Sequence, residues 1–107
     1  MMAGDSQLVV PPSFIALFLE PHRTRPTQSR EVITARYEFC EDLATLLTEH
    51  AADIQSSLHV TEDDVLQRVY RGLRVPDSGV DAKEAQWVVN RLAELLSWPL
   101  PGDMPPD

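Results

Sequence analysis

Cysteine occurs once in this chain, at Cys40, so no internal disulfide can form and an oxidising compartment is not implied. Lysine also occurs once, at Lys83, and the remaining eight basic residues are arginine. Long apolar runs are lacking: Phe14 to Leu19, the longest, has six residues, against the roughly 20 that span a bilayer. The opening Met1-Met2-Ala3-Gly4-Asp5 has no basic stretch of the kind that begins a signal peptide. A cytoplasmic protein with no membrane partner is expected. Positive charge is scarce overall, and the net charge of -8 sets the field of the molecule against a nucleic-acid partner.

What is present suits an ordinary globular fold. The 107 residues are 43% hydrophobic and 24% charged, enough to bury a core without disulfides or metals. We expect one helical domain over residues 1–98, with a flexible N-terminus at 1–7 and a disordered Pro-rich tail at 99–107. The other prolines cluster at Pro11-Pro12 and between Pro21 and Pro26, where they punctuate the chain.

The spacing of apolar residues predicts an all-α fold, a small bundle of three main helices plus a short N-terminal one. Pro11-Pro12 suits the start of the short helix at Ser13 to Leu19, and Pro21 stops it. Its sequence leaves almost no polar face, so it must be buried on more than one side or docked on a partner. A long helix is predicted from Ser29 to Ser56. One row on it runs through Ile33, Tyr37, Cys40, Ala44, Leu47, Ala51 and Ile54. A second row, Val32, Phe39, Leu43, Leu46 and His50, widens its apolar arc to about half the circumference, as a central helix requires.

Thr61 reads as the N-cap of a third helix over Glu62 to Gly72, with Gly72 ending it in a left-handed cap. Its core stripe is Val65, Leu66, Val69, Tyr70 and Leu73, and Asp64 pairs with Arg68 one turn on. Asp81 with Glu84 forms a capping box for a fourth helix that ends before Pro99, with Ala85, Val88, Val89, Leu92, Leu95 and Leu96 facing inward.

Several surfaces are candidates for function. Trp87, Arg91, Glu94 and Trp98 fall on a second stripe of the fourth helix, roughly opposite its core stripe. A tryptophan beside an arginine has the composition of a binding hot spot, so Trp87, Arg91 and Trp98 are the candidate partner-binding face; the other reading places Trp87 under the short helix. Phe14 and Phe18 on the short helix are second candidates, as a docking segment or as part of the core. Arg23, Arg25 and Arg30 form a basic island with His22 and are candidate anion contacts, or partners for the protein's own carboxylates.

The acidic ridge of Glu31, Glu38, Glu41, Asp42, Glu49 and Asp53 could attract a cation or a basic partner, but side chains along one straight helix do not converge on a hard ion, and a solvated face is expected. His50 is expected as a core histidine, and Cys40 as a buried, unreactive thiol. His22, His50, His59 and Cys40 match no zinc spacing. No catalytic, cofactor or metal residues are assigned, and no cofactor is expected.

Three stretches, Pro11-Pro12-Ser13-Phe14-Ile15-Ala16-Leu17-Phe18, Arg30 through Ala44, and Trp87 through Trp98, together resemble a family of short bacterial proteins of unknown function whose members often carry the label "ATPase with chaperone activity". The resemblance implies a nucleotide-dependent chaperone or an accessory protein of a chaperone ATPase. The glycines at 4, 72, 79 and 102 are none of them followed by lysine, so the chain lacks a P-loop and a stand-alone ATPase does not follow. The functional expectation is therefore a non-enzymatic helical protein-binding or adaptor module with a protein partner. The alternative is the nucleotide-dependent chaperone or ATPase accessory, and self-association through the apolar first helix is a third reading.

Overall fold

The computed structural model describes residues 9–101, and over them the chain is all-α. The helices are α1 (Pro12–Ile15), which tightens into a 3-10 turn at Ala16–Phe18, then α2 (Arg30–Leu58), α3 (Glu62–Leu73) and α4 (Ala82–Leu96). No strand occurs among the described residues. The flexible N-terminus expected at 1–7 and the part of the tail at 102–107 lie outside them; Pro99 to Pro101 are described and non-helical. The chain divides into two units, Met1–Phe39 and Cys40–Asp107, and the division falls inside α2.

In the first unit α1 begins as two prolines dictate. Pro11 stands in the N-cap position with extended backbone, and its carbonyl accepts from the amides of Phe14 at 3.0 Å and Ile15 at 3.2 Å. Pro12 occupies the first helical position, where a missing N–H costs nothing. The helix ends at Leu19, which is already extended. The Thr27 amide then donates to the Phe18 carbonyl at 2.6 Å, tying the two ends of the intervening loop. Phe14 is completely buried, and its ring meets those of Phe18 and Tyr37, each at 5.6 Å between centroids, in the tilted and edge-on arrangements that aromatic quadrupoles favour. Every residue from Glu20 to Val32 is exposed.

The second unit bundles the remainder of α2 with α3 and α4. His59 turns left-handed after α2 (φ 55°), and its amide donates to the Gln55 carbonyl at 2.8 Å. Thr61 caps α3 by accepting from the Asp64 amide at 3.1 Å, and Glu62, Asp63 and Asp64 place negative charge where the helix dipole favours it. The helix buries Val65, Leu66, Val69, Tyr70 and Leu73, the stripe its periodicity predicts. Gly72 does not end it. The helix runs on to Leu73 and is capped by Arg74 in right-handed conformation, because the side chain of Leu73 is buried and the helical register must persist to put it there. Among the described residues the glycine with positive φ is Gly79 (φ 92°).

The α4 capping box forms as its residues predict: Asp81 accepts from the Glu84 amide at 2.8 Å, and Glu84 accepts from the Asp81 amide at 3.1 Å. At the other end Ser97 takes the left-handed conformation (φ 58°), so the Trp98 amide reaches back to the Ala93 carbonyl at 2.9 Å.

Within the second unit the most enclosed helix is α4. Glu84, Ala85, Trp87, Val88, Val89, Leu92 and Ala93 are all buried, an arc wider than half the circumference, while Leu95 is exposed and Leu96 half-buried. Over α2 the broad apolar arc expected of a central helix is not enclosed. Ile33, Cys40, Ala44 and Ala51 are buried, but Val32, Phe39, Leu46 and His50 are exposed. His50 is therefore a surface histidine and not a core one.

Candidate functional site

Arg91 is the organising charge of the second unit. Its Nε donates to both carboxylate oxygens of Glu41 on α2, at 2.9 and 3.1 Å, and Nη2 donates to Glu41 Oε2 at 2.9 Å. Nη1 donates to Glu94 Oε1 at 3.0 Å. The planar guanidinium matches the carboxylate in the forked geometry that makes such pairs directional. The hydrogen bond to Glu41 raises the Arg91 pKa well above its ordinary value, against the opposing effect of burial, and Glu94 adds to the rise. Arg91 is thus a fixed cation whose donors are aimed at the protein's own carboxylates.

The residues around it are not arranged as one flat stripe. Trp87 is buried, with 9% of its surface exposed, and does not stand on an outer face opposite the core. Helical phase alone misplaces it, because the enclosed arc of α4 extends round to Trp87, while Lys83 and Glu94 farther round remain exposed. Trp98 is half-buried and has left the helix after the left-handed Ser97. At the surface of this end of α4 stand the exposed Glu94 and Leu95, the half-exposed Arg91 and part of Trp98.

In the first unit, Phe14 is enclosed and Phe18 half-buried. Arg23 pairs with Glu20 at 3.4 Å in an exposed position, and Arg25 and Arg30 are both exposed. Arg30 opens α2 and, with Gln28, borders an open groove of about 560 Å³ whose walls include Val10, Ile15, Pro26 and Ile33. Cys40 is completely buried. Among the described residues no group of three or more His, Cys, Asp and Glu is placed to hold a metal ion, and no helix is long and apolar enough to cross a membrane.

The most unusual surface is the flank of α2 within the second unit. Here the enclosed row is made of small side chains, Cys40, Ala44 and Ala51, while the large ones lie outside. Leu46 is 75% exposed and Leu58 is 50% exposed; Leu43, Leu47 and Ile54 are half-buried. Leu43, Leu46, Leu47, His50 and Ile54 recur at three- and four-residue spacing and share one side of the helix. Asp42, Glu49 and Asp53, all exposed, border that side. The hydroxyls of Thr45 and Thr48 donate to the helix's own carbonyls, of Glu41 at 3.0 Å and Thr45 at 2.8 Å, so their polarity is spent locally.

In the sequence this flank is hidden because both rows on α2 read as apolar. The available signal is that Cys40, Ala44 and Ala51, all small, share one side of the helix while Leu43, Leu46 and Leu47 lie beside it, since small residues permit close approach and large ones resist it.

Compared with family models, curated proteins and solved structures, the chain matches none.

Proposed function

We propose that this protein is a non-enzymatic helical binding or adaptor module that acts through protein contacts, with the outer flank of α2 as its principal contact side. The observation that supports this reading is the inverted use of side-chain size on α2, where Leu46 stands in solvent while Ala44 and Ala51 are enclosed. Burying a leucine side chain is worth about 1.5–3 kcal/mol. A fold that leaves several of them at the rim of one helix keeps that free energy for a partner. The half-exposed Arg91 and Trp98 belong to the same proposal as the contacts α4 retains.

The test is capture of partners by tagged wild-type protein beside Leu46→Ser. Substitution at so exposed a site leaves the helical circular dichroism and the unfolding midpoint unchanged, and a partner held by wild type is lost from the variant. Retention of that partner by Leu46→Ser would remove the α2 flank from the proposal.

A second reading, an accessory of a nucleotide-dependent chaperone, draws on the resemblance described above and on the exposure of Arg25 and Arg30 beside Arg23. It predicts that magnesium-ATP shifts the amide resonances between Arg23 and Arg30. Unchanged resonances at saturating nucleotide would exclude it.

A further inference from the structure

We propose that the partner of the α2 flank is a basic amphipathic helix, an inference that rests on the binding-module reading above and specifies its chemistry. Two features of the flank carry it. The first is shape: Leu43, Leu46, Leu47, His50 and Ile54 form a straight strip whose eleven-residue step corresponds to about 16 Å along the helix axis. A second helix with apolar residues at the same three- and four-residue spacing matches such a strip along its length.

The second feature is charge. Asp42, Glu49 and Asp53 stand exposed along one edge of the strip. The asymmetry extends to the whole chain. Residues 1–39 hold four carboxylates and four arginines, so the net charge of -8 resides entirely in residues 40–107. Lysine or arginine flanking the partner's apolar stripe meets this edge with opposite charge, which speeds encounter and sets orientation. A second copy of the flank would bring carboxylates against carboxylates, so the charge pattern disfavours self-pairing.

The experiment uses the full chain and two synthetic helices of about 18 residues, long enough to hold helical structure against a partner. One carries a leucine stripe flanked by lysine; the other is identical except for glutamate in place of every lysine. The lysine helix is expected to bind, with amide shifts concentrated at Leu43, Leu46, Leu47 and Asp53. Leu46→Ser and the pair Glu49→Lys with Asp53→Lys should each weaken it by about tenfold. Binding should also weaken steeply as salt rises from about 50 to about 300 mM, where screening shortens to a few ångströms.

The proposal is overturned if the lysine helix does not bind, if Leu46→Ser leaves its binding unchanged, or if the glutamate helix binds equally well. A cellular partner lost from Leu46→Ser together with failure of the lysine helix would leave the contact side standing and refute the chemistry. A concentration-dependent dimer abolished by Leu46→Ser would assign the flank to a second copy and likewise refute it.

Discussion

Residues 1–39 balance four carboxylates with four arginines, whereas residues 40–107 set thirteen carboxylates against five basic side chains. The two regions also differ in how their backbone is organised. In the second, α3 starts at a threonine cap and α4 at a reciprocal capping box, and each helix presents a well-marked buried stripe. In the first, α1 has four residues, its N-cap makes no side-chain hydrogen bond, and the stretch from Glu20 to Val32 is exposed throughout. Order there gathers around one enclosed ring, Phe14, with Phe18 and Tyr37 against it. The difference shows two ways of fixing a short chain: many local signals that agree, or a single aromatic cluster that a few prolines help to place.

The comparison is sharpest at the buried side chains. Phe14→Ala is expected to cost about 3–4 kcal/mol and Leu92→Ala about 3 kcal/mol, read from urea unfolding, since both side chains are fully enclosed. A cost below about 1 kcal/mol for Phe14→Ala would show that the aromatic cluster is not what orders the first region. A smaller effect tests the local signals of the second region. Asp81→Ala removes one half of the capping box and should cost about 1 kcal/mol, with hydrogen exchange accelerating first in the opening turn of α4. An unchanged exchange pattern would mean that packing alone sets where α4 begins.

The smallest expected change has the opposite sign. Gly72 is exposed within the last turn of α3, and a Cβ there would meet nothing within 4 Å. Gly72→Ala should therefore stabilise by about 0.5–1 kcal/mol, visible as a raised thermal midpoint. Destabilisation would restore the role of a left-handed terminator that the structure denies it.

Much of the fold was legible in the residues. The caps at Thr61 and Asp81, the buried stripe of α3, the length of α2 and the proline start of α1 all follow from interactions a few residues apart. Gly72 reads as a terminator, while the left-handed positions after α2 and α4 belong to His59 and Ser97, residues without a glycine's conformational licence. The helical phase of Trp87 differs from that of Val88 and Leu92 and fits either an outer face or a covered one; the side chain is buried. Leu43 and Leu46 on the α2 flank read as core, yet Leu46 stands in solvent and Leu43 is half-buried.

Charge, the absence of a disulfide, the helical class and the helix starts are written in the chain, because each depends on composition or on neighbours within about one turn. Which row of a two-sided apolar helix becomes enclosed is settled by what packs on it. On α2 the row of Cys40, Ala44 and Ala51 is buried and Leu46 is left in solvent. Periodicity identifies both rows and ranks neither, since the outcome depends on how closely other parts of the fold approach, and that distance is a property of tertiary packing.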